Sequence, residues 1–91
     1  MVVTDGTHVV TGVLTPDATG KFLQTGLQGG QPYYRREDGA FFIWWDGALF
    51  WYITPMLAVV GANGWNKAGG AAAGDYNPYG ANVGVATVTE I

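Results

Sequence analysis

Cysteine and serine are both absent from the chain. Without cysteine there is no disulfide framework and no thiolate metal site. A chain of 91 residues buries only roughly 60–65% of the surface its unfolded form exposes, so packing or association must supply the stability. Without either residue the two commonest covalent nucleophiles are missing together. None of the nine threonines stands at the N-terminus, where a threonine nucleophile would use its own amine as base.

Charge is scarce as well. Only 12% of residues are charged, against about 25% in an ordinary domain. Such a surface either exposes many neutral groups or hides part of itself against another protein or further copies of the chain, and the second reading is favoured. With four Lys and Arg residues and a net charge of -3, the chain lacks what a phosphate backbone demands, which argues against nucleic acid as partner. The uninterrupted apolar run Ala48–Ile53 is six residues long, far short of the roughly 20 that span a bilayer as a helix. The opening MVVTDGTHVV has no basic stretch followed by an apolar one, so no secretory signal is expected.

His8 is the single histidine. A metal site normally gathers three or four His, Cys or carboxylate ligands, so nitrogen and sulfur cannot supply one here. Asp75, Asn77 and Gly80 match the first, third and sixth positions of a calcium loop. The fifth and twelfth positions fall on Tyr79 and Ala86, which carry neither the required side-chain oxygen nor the bidentate Glu, so a turn held by Asp75 and Asn77 is expected instead. Glu37, Asp38 and Asp46 are the candidates for a glycosidase pair. Asp38 and Asp46 sit in turns at opposite ends of one strand, about 20 Å apart, which excludes that chemistry. No cofactor, metal or catalytic residue is expected, and the chain is not read as an enzyme.

What the chain does have is β-sheet signal. Thr7 to Leu14 is rich in Val and Thr and ends at Thr15-Pro16-Asp17, which reads as a first strand; Lys21 to Leu27 reads as a second. From Pro32 to Thr54 two Asp-Gly pairs, Asp38-Gly39 and Asp46-Gly47, are each flanked by aromatic and β-branched residues. Two-residue turns at both pairs give a three-stranded antiparallel meander over 32–54. That register sorts Tyr33, Arg35, Phe42, Trp44, Leu49, Trp51 and Ile53 onto one face, and Tyr34, Arg36, Phe41, Ile43, Trp45, Phe50 and Tyr52 onto the other. Both faces are apolar and both need cover. A last strand, Val83 to Thr89, alternates Val83, Val85 and Thr87 against Gly84, Ala86 and Val88. Residues 1–91 are therefore read as a single all-β domain, a small antiparallel sandwich or barrel built around the meander.

Between residues 61 and 81, twelve of twenty-one residues are Gly or Ala. This stretch is read as a long loop, and loops of that length in compact domains are usually either functional or disordered, which makes it the first place to look for a contact surface. Trp65, Tyr76 and Tyr79 would anchor it. Together with Phe41, Trp45, Phe50 and Tyr52 they form the candidate partner-binding set. Trp45, Phe50 and Tyr52 would also make a shelf on which a sugar could stack, although core or subunit contacts are the commoner use of such residues.

The stretch GLQGGQPYYRREDGAFFIWWDGALFWYIT, with Tyr76, Pro78 and a closing TVTE, resembles a small Trp-rich β module found in phage virion proteins and, often repeated, in large environmental bacterial proteins. Gly30, Pro32, Tyr34, Ile43, Trp45, Gly47, Trp51 and Ile53 carry the likeness, and Gly29 replaces the usual Asn. These are turn glycines, core aromatics and strand aliphatics. The resemblance implies no enzymatic site. It implies a virion structural or accessory protein, such as a capsid decoration, head fibre or tail-associated protein, made in the host cytoplasm. Such a protein would contact a capsid or tail protein, or itself as a homo-oligomer. The other function the residues suggest is a carbohydrate-binding or adhesion module for cell-surface glycans.

Overall fold

In the computed structural model, which describes residues 7–91, eight antiparallel strands follow one another around a closed ring. They are β1 (Thr7–Thr11), β2 (Gly20–Gln28), β3 (Gln31–Arg36), β4 (Phe42–Trp45), β5 (Phe50–Thr54), β6 (Gly64–Ala68), β7 (Gly74–Tyr79) and β8 (Ala86–Glu90). Each strand pairs with its neighbours in sequence, and β8 returns to β1 with Val9 opposite Thr89 and Val10 opposite Val88. The architecture is thus the all-β antiparallel barrel, and closure leaves no edge strand among the described residues.

Eight strands enclose an interior that side chains just fill. Here it is filled by Val10, Phe22, Tyr34, Ile43, Trp51, Ile53, Trp65, Tyr76, Ala86 and Val88, all buried. Leu14, Ala18 and Phe41 join this core from loops at one end, and Ala72 from a loop at the other. The buried indoles satisfy their N–H groups by reaching the ends: Trp65 donates to the Gly84 carbonyl at 2.8 Å and Trp51 to the Gly70 carbonyl at 3.0 Å.

The first turn of the meander keeps the expected register, with Tyr34 opposite Ile43 and Arg35 opposite Phe42. The second does not. Trp45 lies opposite Trp51 and Ile43 opposite Ile53, which puts three residues, Gly47 to Leu49, between Asp46 and Phe50, where two had been expected. Asp46 closes this loop twice over: its N–H donates to the Phe50 carbonyl at 3.0 Å. Its Oδ1 accepts from the backbone N–H of Ala48, Leu49 and Phe50 at 2.8, 2.9 and 3.2 Å. The register is offset from the expected one by an odd number of residues, so every β5 side chain changes face. Trp51 and Ile53 enter the core, and Phe50 and Tyr52 move to the outside with Phe42 and Trp44.

The Gly/Ala-rich segment 61–81 is not one long loop. It contains β6 and β7, joined by a hairpin over 69–73. Each strand sends one large residue inward, Trp65 and Tyr76, and both are completely buried. The missing side chain at Gly64 lets the tip of the Tyr79 ring come close to the backbone. A Cβ on Gly64 would stand 2.6 Å from the Tyr79 hydroxyl. Pro78 is tolerated in β7 because the pairing with β8 covers only Gly74, Asp75 and Tyr76, so no ladder bond is lost at residue 78. Asp75 and Asn77 accordingly stand on a strand and not in a turn, with the Thr87 hydroxyl donating to Asp75 Oδ1 at 2.9 Å.

The expected final strand is shifted too. β8 begins at Ala86, and its buried residues are Ala86 and Val88. Val83 and Val85 lie before it and are exposed; Val83 makes only an isolated bridge to Thr15.

Candidate functional site

The barrel has two unlike ends. Chain direction puts residues 7 and 91 at one end, the terminal mouth, together with the connections at 29–30, 46–49 and 69–73. The other end, the loop-rich mouth, carries the longer connections at 12–19, 37–41, 55–63 and 80–85.

At the loop-rich mouth Arg36 ties two loops together. Its Nε and Nη2 donate to the two carboxylate oxygens of Asp38, both at 2.8 Å, and its Nη1 donates to the carbonyls of Asp17 at 2.7 Å and Thr19 at 3.1 Å. The guanidinium also lies 4.9 Å from the ring centre of Phe41. The bidentate pair with Arg36, helped by the Ala40 N–H, holds the Asp38 carboxyl down at about 2. Thr19 does the same for Asp17 through its hydroxyl and its N–H, lowering that carboxyl as well.

The 55–63 loop is anchored at three points. The Thr54 hydroxyl donates to the Met56 carbonyl at 2.7 Å, the Tyr79 hydroxyl to the Val60 carbonyl at 2.5 Å, and the Ala81 N–H to Asn63 Oδ1 at 2.6 Å. Burial, and then the neighbouring Tyr52, push the Tyr79 hydroxyl up to about 12, so it remains a donor throughout the neutral range. Gly80 lets the 80–85 loop close on this one: with φ at 69° and the Ala62 carbonyl and Asn63 Oδ1 in the space a Cβ would need, no side chain fits.

These anchors hold an open cavity of about 400 Å³ lined by Pro16, Phe41, Pro55, Met56, Val59, Val60, Gly61, Ala62, Asn63 and Asn82. None of these carries a charge. Around it the mouth exposes Val13, Met56, Val59, Val60, Val83 and Val85, six of the ten large hydrophobic side chains that are exposed among the described residues. Nothing matches this chain among known families, curated proteins or solved structures. Its function must be argued from its own surface.

The seven candidate contact residues scatter. Trp65 and Tyr76 are buried in the core. Phe41 is buried at the floor of the loop-rich mouth, where it also lines the cavity. Trp45 packs against the core from inside, its ring 5.5 Å from that of Trp51. Phe50, Tyr52 and Tyr79 are together on the outer surface, with Tyr52 6.2 Å from each of the other two rings and stacked on Trp44 at 4.9 Å. The shelf of Trp45, Phe50 and Tyr52 therefore does not form, because Trp45 points to the opposite side of the sheet. The outer cluster instead packs largely on itself, with Trp44 and Tyr52 both buried.

Apart from Phe41, sequence reasoning missed the residues around the cavity. The signal was present in Met56-Leu57-Ala58-Val59-Val60, an apolar run that follows Pro55 and has no polar residue to alternate with, in a position where a loop is needed. Ala58 within it takes a φ of 64°, a left-handed conformation that costs a non-glycine residue energy. Backbone strain of this kind collects where a loop has work to do beyond connecting strands.

Proposed function

We propose that this chain is a non-enzymatic binding module that docks end-on against another protein, a further copy of itself included, through its loop-rich mouth. The supporting observation is the concentration of exposed apolar side chains around an uncharged cavity at one end of an otherwise closed barrel. An exposed apolar patch rimmed by polar groups marks an interaction surface in soluble proteins. The cavity is large enough for one apolar side chain of a partner, and burying such an anchor stabilises a complex by about 1.5–3 kcal/mol. The resemblance of the Trp-rich core to modules of phage virion proteins favours a virion structural or accessory role, with a capsid or tail protein as the partner. A low charge content suits a protein whose surface is shared with a repeating lattice.

The test is light scattering across a concentration series on the wild-type chain and on Val60→Asp, with thermal unfolding as a control. The expected result is association of the wild type that Val60→Asp abolishes without lowering the Tm. A wild type that stays a single chain at every concentration, and that is not taken up by assembled virions when added to them, would overturn the reading.

A further inference from the structure

The terminal mouth holds a second, smaller cavity of about 240 Å³, lined by His8, Gln31, Pro32, Tyr34, Trp51, Gly70 to Ala73 and Glu90. Its chemistry is unlike that of the loop-rich mouth. His8 is only 4% exposed, and its Nδ1 is buried without a hydrogen-bond partner. A buried polar atom of this kind costs stability in an isolated fold and calls for an explanation. The β1 register places His8 on the inward face, directly opposite Glu90 of β8 and Phe22 of β2, and its ring lies 4.1 Å from that of Tyr34.

The roof of the cavity is rigid. The four successive carbonyls of the 69–73 hairpin are each held by a side chain. Lys67 Nζ donates to Gly69 at 2.8 Å and to Ala71 at 2.7 Å. Trp51 Nε1 donates to Gly70 at 3.0 Å and the Tyr76 hydroxyl to Ala72 at 2.6 Å. A hairpin pinned this way keeps its shape with or without a ligand, which lowers the cost of binding one.

We propose that this cavity is a binding site for a single neutral sugar unit at the end of a glycan. The volume is below the roughly 300 Å³ at which pockets for drug-sized ligands begin, so the occupant is small. The Glu90 carboxylate accepts, and the Gln31 amide and the His8 imidazole can each donate or accept. Hydroxyl groups, which do both, are the partners that satisfy all three. Among the described residues Glu90 is the one formally charged side chain of the lining, and the Lys67 ammonium that bonds the roof carbonyls brings a charge of the opposite sign to the same end of the barrel. Pro32, Tyr34 and Trp51 give the lining the apolar component that meets the C–H face of a pyranose ring. The site lies at the opposite end from the proposed docking surface, so both can be occupied together.

The experiment titrates the ¹⁵N-labelled chain with a panel of neutral hexoses, deoxyhexoses and N-acetylhexosamines, with choline and acetate as controls, and follows backbone amides and the His8 ring nitrogens by NMR. The expected result is that one or more sugars move, saturably, the His8 ring nitrogens and the amides of Gln31 and Gly70–Ala73, while Met56 and Val60 stay still. Glu90→Gln, an exposed change that leaves the fold intact, should weaken that sugar by about tenfold through loss of its charged acceptor. A panel that moves none of these signals, a response to choline or acetate in place of sugars, or an affinity unchanged in Glu90→Gln would each overturn the proposal.

Discussion

Trp44 donates its indole N–H to the hydroxyl of Thr54 at 2.8 Å, and that hydroxyl in turn donates to the Met56 carbonyl at 2.7 Å. This two-step relay connects the outer aromatic cluster of β4 and β5 to the first residues of the apolar 55–63 loop. Thr54 is almost completely buried, and valine has nearly its shape. Thr54→Val should therefore leave two polar groups unmatched while keeping the packing. A loss of about 1–3 kcal/mol is expected in denaturant unfolding. Amide hydrogen exchange should show faster opening confined to the loop that begins at Pro55.

The three N–H groups that converge on Asp46 Oδ1 make a second prediction. Partial burial raises the Asp46 carboxyl, but the N–H groups of Ala48, Leu49 and Phe50 outweigh it, and the net shift is downward. A carboxyl lowered on folding adds stability above its unfolded value, and that stability disappears as pH falls through the folded one. Asp46→Ala removes the acceptor at all pH values and should cost about 1.5–3 kcal/mol. Asp46→Asn keeps an acceptor oxygen but not its charge. It should fall between wild type and Asp46→Ala in urea titrations at neutral pH, with the three ranked alike by Tm.

Acid should spare the Arg36 clamp for longer than ordinary carboxylates allow. Asp38 is held at about 2, against an unperturbed value of about 3.9. Because the shift is downward, its contribution is complete above the unfolded value and is lost only as pH falls through the folded one. Carboxyl-carbon NMR should place the Asp38 midpoint below those of the other carboxyls that have no such partner. Arg36→Lys, which cannot bond both oxygens at once, should return that midpoint toward the ordinary value.

Ala58 offers the opposite kind of change. Its φ of 64° is a conformation that glycine adopts freely and alanine does not. Ala58→Gly should raise stability by about 0.5–1 kcal/mol, the relief of the left-handed backbone exceeding the entropy that glycine adds to the unfolded chain. Ala58→Val, with a branched Cβ at the same φ, should lower it. Thermal unfolding of the three proteins decides the order.

The all-β class and the first half of the meander were legible because composition and turn chemistry agree there. Asp38-Gly39 closes a loop whose pairing equals that of a two-residue turn, so Tyr34, Ile43 and Trp45 were assigned correctly to one face. Asp46-Gly47 looks the same in sequence but folds differently, because the Asp46 carboxylate collects three N–H groups and adds a residue to the loop. One such side-chain preference reverses the faces of Trp51 and Tyr52. β6 and β7 were illegible for another reason. Their glycines and alanines have low strand propensity, and they form strands here because Trp65 and Tyr76 complete the ring between β5 and β8. Neither site could be located from residue types alone, since each depends on which loops share an end of the barrel.

The pairing of β1 with β8 brings the Ile91 N–H to 3.0 Å from the Thr7 carbonyl. Covalent order therefore matters less to this fold than cyclic order does. Any of the seven connections between consecutive strands could serve as the break in the chain, provided a short linker joined Ile91 to Thr7. A version opened within 12–19 would carry its cargo beside the apolar cavity, and one opened at 29–30 would carry it beside His8. The same ring of eight strands could thus be displayed with either end facing outward.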